Sequence, residues 1–226
     1  MAAKQVLAEI VRPEFEVLDI TIEGTSPLIV HNFSEKARRQ MLEAQQQKAT
    51  AKKKQRDPKV PFNDFMGALY WLTPKPEDGI DDDDAKANYA EATKDGHHFG
   101  FRADGIKASA ISGAYRSGFT KDKVSIHGAF HLNGATEYST PELAEIIGSE
   151  PWCREDIVRI GQGTADLRYR PQFDEWEIPL KLSYNKHGMY SLDQILTFIE
   201  TGGFTVGLGE WRVEKGGLFG SYRLKA

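Results

Sequence analysis

The C-terminal third of the chain contains the pattern that most narrowly restricts the fold. Residues 164–173 and 176–184 have the alternating and β-prone composition of strands, and only Asp174-Glu175 separates them. Two residues are the usual length of a tight hairpin connection. The pattern therefore predicts an antiparallel β-hairpin in this part of the chain.

A helix is expected after this hairpin. Ser191–Gln194 has the serine and glutamine spacing of a capping box, and apolar residues then recur at helical intervals. Gly202-Gly203 is expected to end the helix, and residues 204–208 and 218–224 are expected to return as strands. Helices interspersed with antiparallel strands predict an α+β protein with a ferredoxin-like antiparallel sheet and helices packed on one side.

The other elements are consistent with a single domain spanning residues 1–226. Residues 15–23 alternate as a half-buried strand, with Leu18, Ile20 and Ile22 on one face. Three further interpretations follow from local patterns: a short buried helix over 63–72, a helix over 105–115 and a strand over 124–130. Thr140-Pro141-Glu142 has the capping threonine and first-turn proline of a helix start.

Charge is distributed unevenly along the chain. The formal net charge is -4, yet nine lysines and arginines lie between Lys36 and Lys59 against only Glu43 and Asp57. This segment, at about 35–60, is expected to be a protruding basic arm, helical or disordered, because it has few apolar residues with which to pack. Residues 74–98, centred on four consecutive aspartates from Asp81, are expected to form an acidic insertion loop.

Composition excludes several classes of protein. The single cysteine, Cys153, rules out an intramolecular disulfide and a cysteine-rich zinc site, so a reducing compartment is expected. No apolar run approaches the ~18 residues of a membrane span, and the first residues lack the apolar core of a secretory signal. We therefore expect a cytoplasmic protein with no membrane association.

A glycine-rich segment closes the sequence. Residues 207–212 read Gly-Leu-Gly-Glu-Trp-Arg, and residues 215–223 contribute Gly216, Gly217 and Gly220 among aromatic and basic side chains. Glycine removes the side-chain wall from the backbone, so the segment is expected to let a polyanion approach closely.

Three segments together resemble the RAMP superfamily of CRISPR-associated proteins, above all the backbone subunits that coat guide RNA. The glycine-rich segment is similar to the late glycine-rich loop of that family, residues 26–30 to its first strand and turn, and residues 101–114 to the helix after its central loop. The resemblance covers about a third of the chain and implies an RRM-like ferredoxin fold that binds nucleic acid. It also implies copies of the same chain and other subunits of a complex as partners.

The sequence also resembles a group of bacteriophage-encoded proteins. The similar runs are His31–Lys36 and Gly207–Arg212. Because Glu210 and Trp211 interrupt the glycine-rich segment, we interpret the chain as a phage-encoded relative of the RAMP proteins, expected in the cytoplasm of a bacterial host.

Basic, aromatic and glycine residues are the candidates for contacts with single-stranded nucleic acid, since cations bind phosphates, rings stack on bases and glycines admit the backbone. They are Lys52, Lys53, Lys54, Arg56, Lys107, Arg116, Arg168, Arg170, Trp211, Arg212, Lys215, Gly216 and Gly217. The resemblance makes His31 a candidate general acid or base, because some RAMP-fold nucleases use a histidine near this position. His97-His98 is interpreted as part of a flexible loop, and no metal site or cofactor is expected.

Three functions are compatible with these observations. The first is a non-catalytic protein that coats single-stranded DNA or RNA, in oligomeric form. The second is a bacteriophage virion or assembly protein of the tail type, in which the basic arm and acidic loop make contacts between subunits. The third is a metal-independent ribonuclease that depends on His31.

Overall fold

Strands and helices alternate along the chain, as expected for an α+β protein. The computed structural model describes residues 12–33, 38, 41–42, 45, 59–160 and 164–226. In these ranges the strands are β1 Phe15–Gly24, β2 Leu28–Ile29, β3 Phe99–Arg102, β4 Phe130–Gly134, β5 Leu143–Gly148, β6 Trp152–Ile160, β7 Thr164–Phe173, β8 Trp176–Asn185 and β9 Tyr222–Leu224. The helices are α1 Pro61–Ala68, α2 Asp82–Thr93, α3 Ala103–Arg116, α4 Lys123–His127 and α5 Leu192–Thr205, with a 3-10 turn at Val213–Lys215.

Two antiparallel sheets organise these elements. The larger has the order β3-β5-β8-β1-β9, and β4 pairs with β8 beyond the short contact that β5 makes with the same strand. The smaller has the order β2-β7-β6. The predicted strand at 15–23 is confirmed as β1, which pairs with β8 from Phe15 to Glu23.

The larger sheet buries one face. Alternate residues of β8, from Trp176 to Tyr184, are buried in the same core as Ile106 of α3 and Ile199 of α5. The opposite face carries charged side chains in pairs: Asp19 with Lys181, Glu23 with Arg223, and Glu177 with Lys225. Such exposed pairs contribute little to stability. Phe15 and Val17, on the same face of β1, are exposed as well.

Helices α3 and α5 pack closely through glycine. The predicted helix at 105–115 is confirmed as α3, and the capping box at Ser191 is confirmed as the start of α5. The expectation that Gly202-Gly203 ends this helix is wrong, because α5 continues to Thr205 and the predicted strand at 204–208 does not form. A Cβ atom at Gly202 would lie 2.7 Å from the Cα atom of Ala110. This glycine therefore permits the helix contact and does not end the helix.

The predicted hairpin of 164–173 with 176–184 is also wrong, although both strands exist. Strand β7 pairs with β6 and β2, whereas β8 pairs with β1, β4 and β5 in the other sheet. Asp174 and Glu175 thus lead the chain from one sheet to the next. The true hairpin partner is β6, which pairs with β7 from Trp152 to Ile160.

Three local interpretations are replaced by other structure. The acidic stretch expected to be a loop contains α2, because the Asp81 side chain accepts a hydrogen bond from the Asp84 N–H and so caps the helix. The strand expected at 124–130 is mostly α4, which Asp122 caps in the same way. The helix expected from Thr140 is instead a turn followed by β5, which pairs with β3.

Most of the expected basic arm lies outside the described residues, including Lys52, Lys53, Lys54 and Arg56. Arg38, Met41, Leu42 and Gln45 are helical and exposed. At the far end the Lys59 ammonium donates hydrogen bonds to the Asp166 carboxylate and to a carbonyl of β7. Within the described ranges no helix is long and apolar enough to cross a membrane.

Candidate nucleic-acid interface

A cavity of about 350 Å³ lies beside the glycine-rich segment. One wall is the side of α3 that carries small residues, the second is the chain from Val206 to Glu210, and the third includes His31, just after β2. The side chains of Arg212 and Glu214 complete the lining. The structure thus brings His31 and Arg212, 181 positions apart in the sequence, to one cavity.

The glycine-rich segment is packed against the body of the protein. Leu208 donates its N–H to the Gly220 carbonyl at 2.8 Å, Glu210 to Ile29 at 2.9 Å, and Gly220 to Pro27 at 2.8 Å. Gly209 has φ 69°, and a Cβ atom there would collide with the Ile29 carbonyl. The expectation that the glycines clear space for a polyanion needs correction at four positions where a Cβ atom would meet the chain's own backbone: Gly207, Gly209, Gly217 and Gly220. At Gly216 a Cβ atom would meet nothing within 4 Å.

The segment nevertheless brings cations to the cavity, because Arg212 lines it. Glu210 and Trp211 form a turn between Gly209 and Arg212. Trp211 has φ 52°, a left-handed conformation that is unfavourable for a bulky residue. Lys215 and Gly216 are exposed at the tip, whereas Gly217 packs against the Trp211 carbonyl.

Two arginines converge on one carboxylate at the mouth of the cavity. Nη2 of Arg116, at the end of α3, lies 2.7 Å from Oε1 of Glu214. Nε and Nη2 of Arg212 lie 3.1 and 2.8 Å from the other oxygen of Glu214. Burial raises the pKa of Glu214, but the hydrogen bonds from Arg212 and the charges of both arginines outweigh it and lower the pKa overall.

Arg170 does not reach the surface as a phosphate contact would. Its side chain is 3% exposed, with Nη1 3.4 Å from the Asp156 carboxylate and Nη2 3.6 Å from that of Glu210. Arg168, two residues earlier on the same face of β7, is more exposed and lies 3.6 Å from the Asp166 carboxylate. Burial therefore increases along this face toward Arg170.

Lys107 also serves a structural contact. Its ammonium donates a hydrogen bond of 2.7 Å to the His127 carbonyl and lies 5.6 Å from the centre of the Phe130 ring. Burial lowers its pKa. Two aromatic residues that the sequence places near the cations, Trp176 and Tyr222, belong to the core. The exposed sheet face therefore receives no stacking platform from them.

His31 has a buried nitrogen without a partner. Among the described residues, nothing forms a hydrogen bond to its Nδ1 atom. Burial lowers the pKa of this imidazole below its ordinary value of 6.5, the charge of Arg170 lowers it further, and the Glu210 carboxylate partly opposes both. At neutral pH the ring is therefore uncharged and can accept or donate a proton at the cavity.

Acid should destabilise the wild-type protein more steeply than a His31→Gln variant. Because the folded-state pKa of His31 is lowered, the unfolded chain binds the extra proton more readily, and stability falls as pH drops below about 6.5. Urea unfolding of both proteins between pH 8 and pH 5 measures the difference. Parallel curves would show that His31 titrates alike in the folded and unfolded chains.

Two histidine–glutamate pairs were missed by the sequence analysis. Nε2 of His97 lies 2.6 Å from the Glu150 carboxylate, and Nδ1 of His98 bonds the buried carboxylate of Glu145. Tyr138 stacks on the His98 ring with the centres 3.4 Å apart. His97 and His98 lie in the loop before β3, as expected, and these pairs tie that loop to β5 and its following turn. In the described ranges no three metal-binding side chains come together.

Comparison of the sequence with protein-family models and with curated proteins gave no match in either case.

Proposed function

We propose that this protein binds single-stranded nucleic acid through the phosphate backbone and does not cleave it. The observation that carries the proposal is the convergence of Arg116 and Arg212 on Glu214, which lines the cavity, with the exposed Lys215 next to it in the chain. Arginine and lysine side chains are usual donors to phosphate oxygens. A ligand with repeated phosphates is the polyanion best suited to such a group of cations.

The order of the strands supports a ferredoxin-like or RRM-like core of the RAMP type. Strands β4-β8-β1-β9 are neighbours in that order, and helices α3 and α5 follow β1 and β8 in the chain. A ferredoxin-like fold has this arrangement of two strand–helix–strand units. The open sheet face carries paired charges, with Phe15 exposed at the start of β1, whereas a base-stacking RRM presents several aromatic rings on this face. We therefore propose that the single-stranded nucleic acid binds at the cavity and along the glycine-rich segment, and not on the open sheet face.

Removing both Arg116 and Arg212 should weaken the binding of single-stranded nucleic acid to the same degree for every base sequence. For Arg116→Gln combined with Arg212→Gln, we expect at least tenfold weaker binding at low salt. The slope of log affinity against log salt should fall by about 1.4, since each phosphate contact to a single strand contributes about 0.7. Fluorescence anisotropy with labelled DNA and RNA strands of about 30 nucleotides, titrated with salt, gives both quantities.

The matched control is Arg223→Gln, which removes an arginine paired with Glu23 on the open sheet face. It should leave affinity and salt slope unchanged. Equal losses of affinity in both variants would indicate a nonspecific effect of net charge and would remove the cavity from the proposal.

Gel analysis of the same nucleic-acid strands after incubation with the protein tests the alternative of a ribonuclease. A ribonuclease that depends on His31 would shorten the RNA strand, and the His31→Ala variant would leave it intact.

One observation favours the second candidate, an assembly protein of the virion type. Ile157 and Leu167 lie directly opposite each other on β6 and β7, and their side chains are 72% and 40% exposed. An exposed apolar pair on a hairpin is suited to contact another copy of the chain. Analytical ultracentrifugation of the protein without nucleic acid tests this candidate. An assembly protein should sediment as an oligomer, and the Leu167→Lys variant should sediment as a monomer.

A further inference from the structure

Glu214 occupies the place that a phosphate group would take in the proposed interface. Each of its carboxylate oxygens is bound by a different arginine, Oε1 by Arg116 and Oε2 by Arg212. Arginine guanidinium groups match the geometry of carboxylate and phosphate oxygens alike, so two arginines that hold separate oxygens of one carboxylate can also hold a phosphate. Of the two positive charges at this point, one is neutralised by the protein itself.

The accessibility of the three side chains indicates that this carboxylate is exchangeable. The Glu214 side chain is 16% exposed, whereas those of Arg116 and Arg212 are 49% and 32% exposed. An incoming phosphate can therefore reach both guanidinium groups from solvent. The Glu214 N–H donates a hydrogen bond of 3.0 Å to the Val206 carbonyl and holds the backbone in position. Rotation of the Glu214 side chain alone is therefore enough to move its carboxylate away from the two guanidinium groups.

We propose that Glu214 is an internal competitor that fills the two-arginine phosphate site until nucleic acid displaces it. The inference rests on the proposed function and adds its regulation. The Glu214 carboxylate keeps the two arginines apart and oriented in the free protein. An anion that binds weakly, or through a single phosphate, does not gain enough binding free energy to displace it. A strand with many phosphates overcomes the competition because its other contacts hold it in place.

The test compares Glu214→Gln with Glu214→Asp and with Glu177→Gln, a control whose carboxylate pairs with Lys225 on the open sheet face. Glu214→Gln preserves shape and removes the competing charge. It should bind the labelled strand about tenfold more tightly at low salt, with a steeper salt slope. Glu177→Gln should bind as the wild type does, and Glu214→Asp, which keeps the negative charge, should bind more weakly than Glu214→Gln. Circular dichroism melting confirms that each variant is folded.

A second arm uses inorganic phosphate and does not depend on the strand. Millimolar phosphate should raise the melting temperature of Glu214→Gln more than that of the wild type, because phosphate binds the vacated arginines. If the wild type binds the strand and Glu214→Gln binds it equally or more weakly, the carboxylate only orients the arginines and the inference is overturned. If no protein binds the strand, the proposed function fails, and the phosphate arm alone decides whether Glu214 competes for the site.

Discussion

Replacing Asp156 with alanine should lower the free energy of unfolding by about 3–5 kcal/mol, the cost of leaving one member of a buried ion pair alone. The Asp156 side chain is 7% exposed and faces Arg170, which is 3% exposed. Its other oxygen accepts a hydrogen bond of 2.7 Å from Arg154. Without this carboxylate the guanidinium of Arg170 faces Glu210, at 3.6 Å and partly in water. Urea unfolding followed by circular dichroism measures the loss.

Asp19→Ala provides the comparison, because Asp19 forms an exposed pair with Lys181 at 3.0 Å. Exposed pairs contribute little, so we expect a change within about 0.5 kcal/mol. A similarly small effect at Asp156 would mean that Arg170 regains water in the variant and that the pair is not buried as the structure has it.

Replacing Gly202 with valine should destabilise the protein by about 3 kcal/mol, because α3 and α5 would have to separate. A Cβ atom at Gly202 would lie 2.7 Å from the backbone N and Cα atoms of Ala110, and one at Gly113 would lie 2.6 Å from Gly202. Backbone atoms cannot rotate away as a flexible side chain can. The hydrogen bond of 3.0 Å from the Ser109 hydroxyl to the Gly202 carbonyl would also be strained. Differential scanning calorimetry should show a melting temperature lower by about 6–12 °C.

The control is Gly128→Val, where a Cβ atom meets nothing within 4 Å. Its effect should be within about 1 kcal/mol, since no neighbour has to move. Losses of equal size at both positions would show that the cost lies in replacing glycine as such. The close packing of α3 on α5 would then no longer account for the result.

The elements that the sequence predicted correctly are those with a strong local period or cap. β1 alternates cleanly, and α5 begins at a capping box whose two reciprocal hydrogen bonds form as expected. Such signals depend on neighbouring residues alone. For the same reason they do not specify which strand β7 pairs with, and the short connection at Asp174-Glu175 predicts a hairpin that the structure does not form.

Side-chain caps were misinterpreted where tertiary pairing decides the outcome. The Thr140 hydroxyl accepts a hydrogen bond of 3.0 Å from the Leu143 N–H, as a helix cap would. The residues that follow pair with β3 and become a strand, because burying Ala144 and Ile146 in the core outweighs the local preference. Asp122 illustrates the reverse case, since it caps a helix in a run whose composition favoured a strand.

The site was only half predictable for a similar reason. The basic residues stand out in the sequence, but their acidic partners do not. Arg116 and Glu214 are 98 positions apart, and Asp156 lies on β6, a strand that no local pattern identified. Which arginines are neutralised and which remain available for a ligand depends on pairing between distant elements.

The way in which the glycine-rich segment is anchored has a consequence for the stability of the cavity. Its hydrogen bonds run to Pro27, between β1 and β2, and to Ile29 in β2, and Thr25 donates its N–H to the Ser221 carbonyl just before β9. This wall is therefore joined to β2 of the smaller sheet and to the ends of β1 and β9 in the larger sheet. We therefore expect this wall to unfold together with the two sheets and not to fray separately. Loss of the cavity should then coincide with global unfolding, which couples ligand affinity to the free energy of unfolding.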